Sequence, residues 1–176
     1  MDLINVFVRH PLVDLTLHLK QEDSELVLES LAFERSLCPS CTPDGKSNDQ
    51  ALARIVGQIR EFLDGNLRSL DDIPLDTSWC TAFQKKVLET ARKIPWGKTI
   101  SYTELAKNAG YPGAVRAAAS VMRNNRFPLV IPCHRVIGKG GKIGGFMGSL
   151  TGVHVDLKAR LLANEGVVLG PQKAKR

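Results

Sequence analysis

Apolar and polar positions alternate along the first third of the chain. Residues 3–10 hold Val6 and Val8, residues 13–20 alternate Val13, Leu15, Leu17 and Leu19, and residues 26–33 are mostly apolar. Pro11 and Gln21-Glu22-Asp23-Ser24 separate the runs. A period of two between turn signals predicts a small antiparallel meander with one buried face. Residues 38–48, rich in Pro, Ser, Gly and Asp, predict a loop. The period then changes. Leu52, Ile55, Val56, Ile59, Phe62 and Leu63 form one helical stripe, with Ser47 and Gln50 as a capping box and Gly65 as the stop. Residues 66–78 carry no clear period.

Beyond residue 78 the pattern is mostly helical. Thr81 and Gln84 predict a second capping box, followed by Phe83, Val87, Leu88 and Ala91 on one face and a break at Pro95-Trp96-Gly97. Ser101 and Glu104 cap a short helix that stops at Gly110. Pro112 suits the first turn of the next helix, which carries Val115, Ala118, Ala119 and Met122. Two short helices around a glycine-containing turn resemble a helix-turn-helix. The run Phe127-Pro128-Leu129-Val130, bracketed by prolines, predicts extended chain.

Composition adds the partition of charge. The 176 residues suffice for one medium domain or two small ones. Residues 1–78 carry 7 Lys/Arg against 14 Asp/Glu, a net −7, whereas residues 79–176 carry 17 against 4, a net +13. The expected organisation is an acidic, strand-rich domain over 1–78 and a basic, helical domain over 79–176, the latter suited to a polyanion. No stretch is apolar for the roughly 18 to 20 residues of a membrane span. No secretory signal is expected, nor a disulfide scaffold from four cysteines. These features predict a cytoplasmic protein (nuclear in a eukaryote) without membrane partners.

The sharpest chemical feature is Ile131-Pro132-Cys133-His134-Arg135-Val136. A cysteine with His134 and Arg135 as neighbours sits in an electropositive setting that favours the thiolate. That makes Cys133 a candidate for covalent catalysis.

The signature Pro132-Cys133-His134-Arg135-Val136 resembles the active-site motif of the O6-alkylguanine-DNA alkyltransferases, also called methylated-DNA–protein-cysteine methyltransferases. The resemblance extends through Ser101-Tyr102, Leu105-Ala106, Arg116, Met122-Arg123, Asn125 and Leu161-Leu162 with Glu165-Gly166, over roughly residues 80–168. It implies an α/β (α+β) fold: a ribonuclease H-like N-terminal antiparallel sheet with a helix, then a helical domain with a winged helix-turn-helix-like unit. It implies direct reversal of DNA damage, with the alkyl group of O6-alkylguanine, and possibly of O4-alkylthymine, moving once and irreversibly to Cys133. His134 would be the base, acting through a bridging water, and Glu165 its orienter. Tyr102 would donate to the flipped guanine, and Arg116 would fill the vacated stack. Ala117 and its small neighbours would let the helix enter the minor groove of double-stranded DNA. Arg123 and Arg135, with Arg126, Lys139 and Lys142, would lie near phosphates. Asn125 would be the hinge, the Val136 carbonyl would take the guanine amine, Phe146 would wall the alkyl pocket, and Met122 would pack near Cys133. The resemblance implies a monomer without cofactors. Between Gly144 and Lys158 the chain is longer than the family pattern, near residues 150–155.

Two motifs lead elsewhere. Cys38-Pro39-Ser40-Cys41 invites zinc, but Cys80, His10 and His18 lack the spacing of a four-ligand site, and no metal is expected. Gly138, Gly140, Gly141, Gly144 and Gly145 lack the context of a P-loop. The competing readings are a non-enzymatic alkyltransferase-like lesion-binding protein, disfavoured by the retained Cys133, and a cysteine hydrolase using Cys133, His134 and Glu165.

Overall fold

The computed structural model describes residues 3–34, 42–43 and 49–169. It divides into two compact units, Met1–Trp79 with Arg126–Val130, and Cys80–Asn125 with Ile131–Arg176. The fold is α+β.

The first unit is built on β1 (Leu3–Val8), β2 (Asp14–Glu22) and β3 (Glu25–Glu34), paired antiparallel around the central β2. A short β4 (Thr42–Pro43), inside the segment expected to be loop, pairs parallel to β1. Val6 faces Leu17 and Val8 faces Leu15, so the alternating apolar positions share one side. In β3 the apolar residues fall out of step, because Leu28 and Leu31 are three apart. The register shifts after His18: Ser30 pairs His18 and Leu28 pairs Leu19, which leaves Glu29 as the extra residue. This bulge returns Leu26, Leu28 and Leu31 to the buried side.

Helix α1 (Gln50–Leu63) buries the expected stripe, Leu52, Ile55, Val56, Ile59, Phe62 and Leu63, each contributing roughly 1.5–3 kcal/mol. Its N-cap is Asp49, whereas Ser47 lies outside the described residues. The Asp49 carboxylate accepts from Ala51 N at 2.8 Å and Leu52 N at 3.3 Å. An acceptor immediately before the helix reaches two orphan N–H groups at once. The segment 126–130, expected with the second half, packs in this unit instead. Leu31 N donates to Arg126 O, Phe127 is fully buried beside Trp79, and the Arg126 guanidinium lies 4.5 Å over the Trp79 ring. The segment is a turn rather than extended chain, with Leu129 at φ 72°.

The second unit holds α2 (Ala82–Arg92), α3 (Tyr102–Asn108), α4 (Val115–Arg123) and α5 (Val153–Asn164). Two-residue strands β5 (Ile100–Ser101) and β6 (Val136–Ile137) pair parallel. Reciprocal caps at Thr81/Gln84 and Ser101/Glu104 open α2 and α3. Pro112 lies in the turn before α4 rather than in its first helical turn; the helix starts at Val115, capped by Ala114. Ala118, Val121 and Met122 are its buried residues, while Arg116, Ala117 and Ser120 are exposed. Among the described residues no helix is long and apolar enough to cross a membrane.

Candidate active site

Cys133 opens a 3-10 turn, Cys133–Arg135, that leads into β6. Its N–H donates to Ile131 O at 2.7 Å, and Arg135 N donates to Pro132 O at 2.9 Å. Just upstream, the Asn125 amide donates to Ile131 O at 2.9 Å. This bond clips the neck of the excursion 126–130 and fixes where the chain re-enters the second unit. The same amide hydrogen-bonds Cys133 and favours its thiolate.

Cys133 lies on a cavity of about 330 Å³, with Tyr102 from α3, Ala119, Met122 and Arg123 from α4, and residues 145–150. That is the low end of the roughly 300–1,000 Å³ usual for small-ligand clefts. Capping fixes Tyr102 at the first residue of α3. Ser101 Oγ accepts from Glu104 N at 3.1 Å, the Glu104 carboxylate accepts from Ser101 N at 2.7 Å, and Ser101 pairs with Ile137. The far wall is a tight turn in which Phe146 and Ser149 exchange two backbone bonds of 2.9 Å. Met147 and Gly148 at its centre have φ 48° and 82°, the double-positive geometry of a type I′ turn. A side chain at Gly148 would meet Arg123 Nε at 3.3 Å, so glycine lets the turn lie against that arginine. Of the longer stretch, residues 146–150 line the cavity, whereas 153–155 form the first turn of α5.

Behind Cys133 is a buried polar cluster. His134 Nε2 meets Glu165 Oε1 at 2.7 Å, with side-chain exposures of 0% and 2%. A carboxylate at Nε2 holds the proton there and leaves Nδ1 as the lone-pair nitrogen. Nδ1 is buried and has no hydrogen-bond partner among the described residues. Glu165 is the C-cap of α5 rather than a residue within it. Its second oxygen accepts from Gly97 N at 3.1 Å. Gly97 has φ 72°, and a Cβ there would come within 3.1 Å of Glu165 O, so only glycine fits both demands.

Arg135 closes the cluster. Its Nε donates to Glu165 at 2.9 and 3.1 Å, Nη2 donates at 2.9 Å, and Nη1 donates to Ile94 O at 2.6 Å. The residue is 4% exposed. Arg135 is therefore removed from the DNA-facing set: a guanidinium bonded to a buried carboxylate and a carbonyl has no free edge for a phosphate. The expected thiolate-favouring setting of Cys133 is corrected as well. Burial pushes the thiol above its ordinary value, against smaller lowering contributions from Asn125 and Lys158. Burial pushes His134 down and keeps the imidazole neutral. Burial alone would raise Glu165, but hydrogen bonds from His134 and Arg135 hold its carboxyl below the usual range. Tyr102 is pushed up to about 12, first by burial and then by the charge of Cys133.

One functional candidate escaped the sequence reading. Lys158 is fully buried, and its Nζ donates to Val136 O at 2.6 Å and Gly145 O at 3.2 Å. The Val136 carbonyl expected to receive a ligand amine thus already accepts one bond. The signal was present: Lys158 shares the apolar stripe of α5 with Leu157, Leu161 and Leu162. Among the remaining expected residues, Met122 and Phe146 are buried at the cavity, while Arg123, Lys139 and Lys142 are exposed. Cys38 and Cys41 lie outside the described residues. His10 bonds Asp64 at 2.9 Å and His18 bonds Asn5 at 2.6 Å. Among the described residues no cluster of three or more His, Cys, Asp or Glu side chains is placed to hold a metal ion.

Residues 82–167 match the family model for the DNA-binding domain of 6-O-methylguanine DNA methyltransferase. A relative from Methanothermobacter thermautotrophicus, named methylated-DNA–protein-cysteine methyltransferase, is 45% identical over 130 residues, which is 72% of this chain and 70% of the relative. The chain belongs to the methylated-DNA–protein-cysteine methyltransferase family. The crystal structure of the Mycobacterium tuberculosis O6-methylguanine methyltransferase is 33% identical and superposes with a TM-score of 0.72, covering 93% of each chain. A structure of the same protein in complex with DNA matches equally well, at 32% identity and 92% of each chain. The methyltransferase match spans the cavity and the whole buried cluster from Gly97 to Glu165.

Proposed function

We propose that this chain repairs alkylated DNA by moving the alkyl group of O6-alkylguanine onto Cys133, once per molecule. The observation that carries the reading is a buried cysteine on a ligand-sized cavity, followed in sequence by a neutral histidine bonded to a buried carboxylate. That is the nucleophile–base–orienter arrangement of covalent catalysis. In the proposed step, His134 takes the thiol proton through a bridging water, and Glu165 stabilises the resulting imidazolium. The sulfur attacks the alkyl carbon, the C–O6 bond breaks, and its electron pair remains on O6. The guanine gains one proton, equal in number to that lost by the thiol. Tyr102 keeps its proton in the resting site and donates a hydrogen bond to the departing base. As the thiolate becomes a neutral thioether, one cause of the raised Tyr102 value disappears, and the phenol becomes a stronger acid as charge develops on O6. A thioether has no hydrolytic exit, so the reaction is stoichiometric.

The reading extends to the DNA. Arg116 and Ala117 are exposed on α4; we assign this helix to the minor groove, with Arg116 replacing the extruded base. Arg123 serves both the cavity rim and the phosphates. The basic part beyond residue 78 carries DNA binding, the acidic part does not, and the protein acts as a monomer where cellular DNA lies, in the cytoplasm or a nucleus. Arg116→Ala should slow repair in duplex DNA about 10-fold or more, since base extrusion costs a few kcal/mol. It should leave reaction with the free base O6-benzylguanine within about two-fold, because that substrate needs no extrusion. Equal losses on both substrates would remove Arg116 from the role of replacing the extruded base.

The acid limb of the transfer rate should lie below pH 6.5, the ordinary histidine value, because burial keeps His134 in its base form at lower pH. A rate–pH profile checks this, and a limb above 6.5 would contradict the neutral assignment. The reading as a whole is tested with duplex DNA carrying isotopically labelled O6-methylguanine. One label per protein and restored guanine are expected; label retained in the DNA, or repeated turnover, would overturn it.

A further inference from the structure

Among the described residues, the buried cluster contains one cation with no anionic partner. Glu165 is satisfied by Arg135, His134 and Gly97. Among the described residues, Lys158 Nζ is bonded only to the carbonyls of Val136 and Gly145, and it lies 6.0 Å from the Phe146 ring centroid. A buried ammonium without a counter-ion is costly, and buried charges ordinarily have partners. The ionisable groups that interact with Lys158 are Cys133 and His134 on the 3-10 turn, and beyond them the site holds Arg135, Glu165 and, on the cavity wall, Tyr102. Arg135 is a cation, His134 is a neutral base and Glu165 is already paired. Tyr102 holds its proton far above neutrality. Cys133 is the one group left that becomes an anion during the reaction.

We propose that Lys158 is the counter-cation of the Cys133 thiolate, a positioning residue held by the Val136 and Gly145 carbonyls so that its charge faces the sulfur as His134 removes the proton. The inference rests on the reading of Cys133 as alkyl acceptor. It also moves to Lys158 the electropositive role expected of His134 and Arg135. Burial pulls the Lys158 ammonium down to about 8, so it is still charged at neutral pH. Its two tethers join β6 to the residue preceding the Phe146 turn, so one side chain supports both the nucleophile and the cavity wall. When the S–C bond forms and the C–O6 electron pair leaves with the guanine, the thiolate charge is consumed. Lys158 then has no anion and holds its proton less tightly.

The test needs no DNA. Iodoacetamide modification of Cys133 is followed by peptide mass spectrometry across pH, for the wild type, Lys158→Gln and Lys158→Arg. Gln keeps donors and removes charge; Arg keeps charge. The midpoint should rise by about one pH unit or more in Lys158→Gln, with roughly ten-fold slower modification at neutral pH, and stay near the wild type in Lys158→Arg. An unchanged midpoint in a folded Lys158→Gln protein overturns the proposal. A second measurement uses the wild type alone: NMR titration of the Lys158 13Cε signal before and after methylation of Cys133 with methyl iodide. The Lys158 midpoint should fall after methylation, and an unchanged midpoint overturns the proposal even if no variant folds. A protein that takes label from DNA but fails both tests keeps the alkyltransferase reading and loses this one.

Discussion

Cys133→Ser is expected to abolish alkyl transfer, by on the order of 10⁴-fold or more, the scale on which covalent catalysts lose activity without their nucleophile. An alcohol is far harder to ionise than a thiol, and Cys133 is already buried enough to resist ionisation. The change in size is small. The new hydroxyl would sit beside the Asn125 amide, so the stability cost should stay within about 1–3 kcal/mol. Affinity for damaged duplex should be retained, since the α4 residues proposed to face DNA are untouched. Rapid-mixing repair assays with a binding titration on the same preparation check both halves. Residual transfer within about ten-fold of the wild type would displace Cys133 from the reaction.

Arg135→Gln is expected to cost about 3–5 kcal/mol, the usual effect of breaking one partner of a buried ion pair. The Glu165 carboxylate would lose its guanidinium, and Ile94 O would lose a donor at 2.6 Å. The His134–Glu165 bond would survive with an uncompensated negative charge, which raises the proton affinity of His134 and moves the acid limb of the rate upward in pH. The salt dependence of DNA binding should not change, because Arg135 has no edge for a phosphate. Arg123→Gln should do the opposite, reducing the log–log salt slope by roughly 1 with little loss of stability. A flatter salt slope for Arg135→Gln with an unchanged melting temperature would return Arg135 to the DNA surface.

Local chemistry carried much of this architecture. The caps at Thr81 and Ser101 act within four residues, and the three strands and the α1 stripe follow from periods of two and 3.6. The nucleophile was legible because Cys133 sits in a dense motif. Other features depended on the folded chain. Nothing in the spelling of residues 131–136 distinguishes an arginine that faces DNA from one that bonds Glu165 thirty residues later. Residues 126–130 read as extended between two prolines, but Leu129 adopts a left-handed turn that brings Phe127 to Trp79. Asp49 was passed over as a cap because it too is a competent acceptor, and only the backbone decides which residue stands at the helix boundary. Gly97 read as a helix breaker, whereas its N–H holds the Glu165 carboxylate. Lys158 was visible as a charge on an apolar stripe, a pattern that merits attention in any helix beside a nucleophile.

The central claim is that the alkyl group ends on Cys133 and nowhere else. The most direct measurement is intact-mass and peptide mass spectrometry of the full chain after reaction with excess O6-methylguanine duplex. One added methyl group, confined to the peptide containing Cys133 and absent in Cys133→Ser, is the predicted result. A methyl group on Cys80 or another residue with Cys133 unmodified, or loss of the lesion with no mass added to the protein, would contradict it.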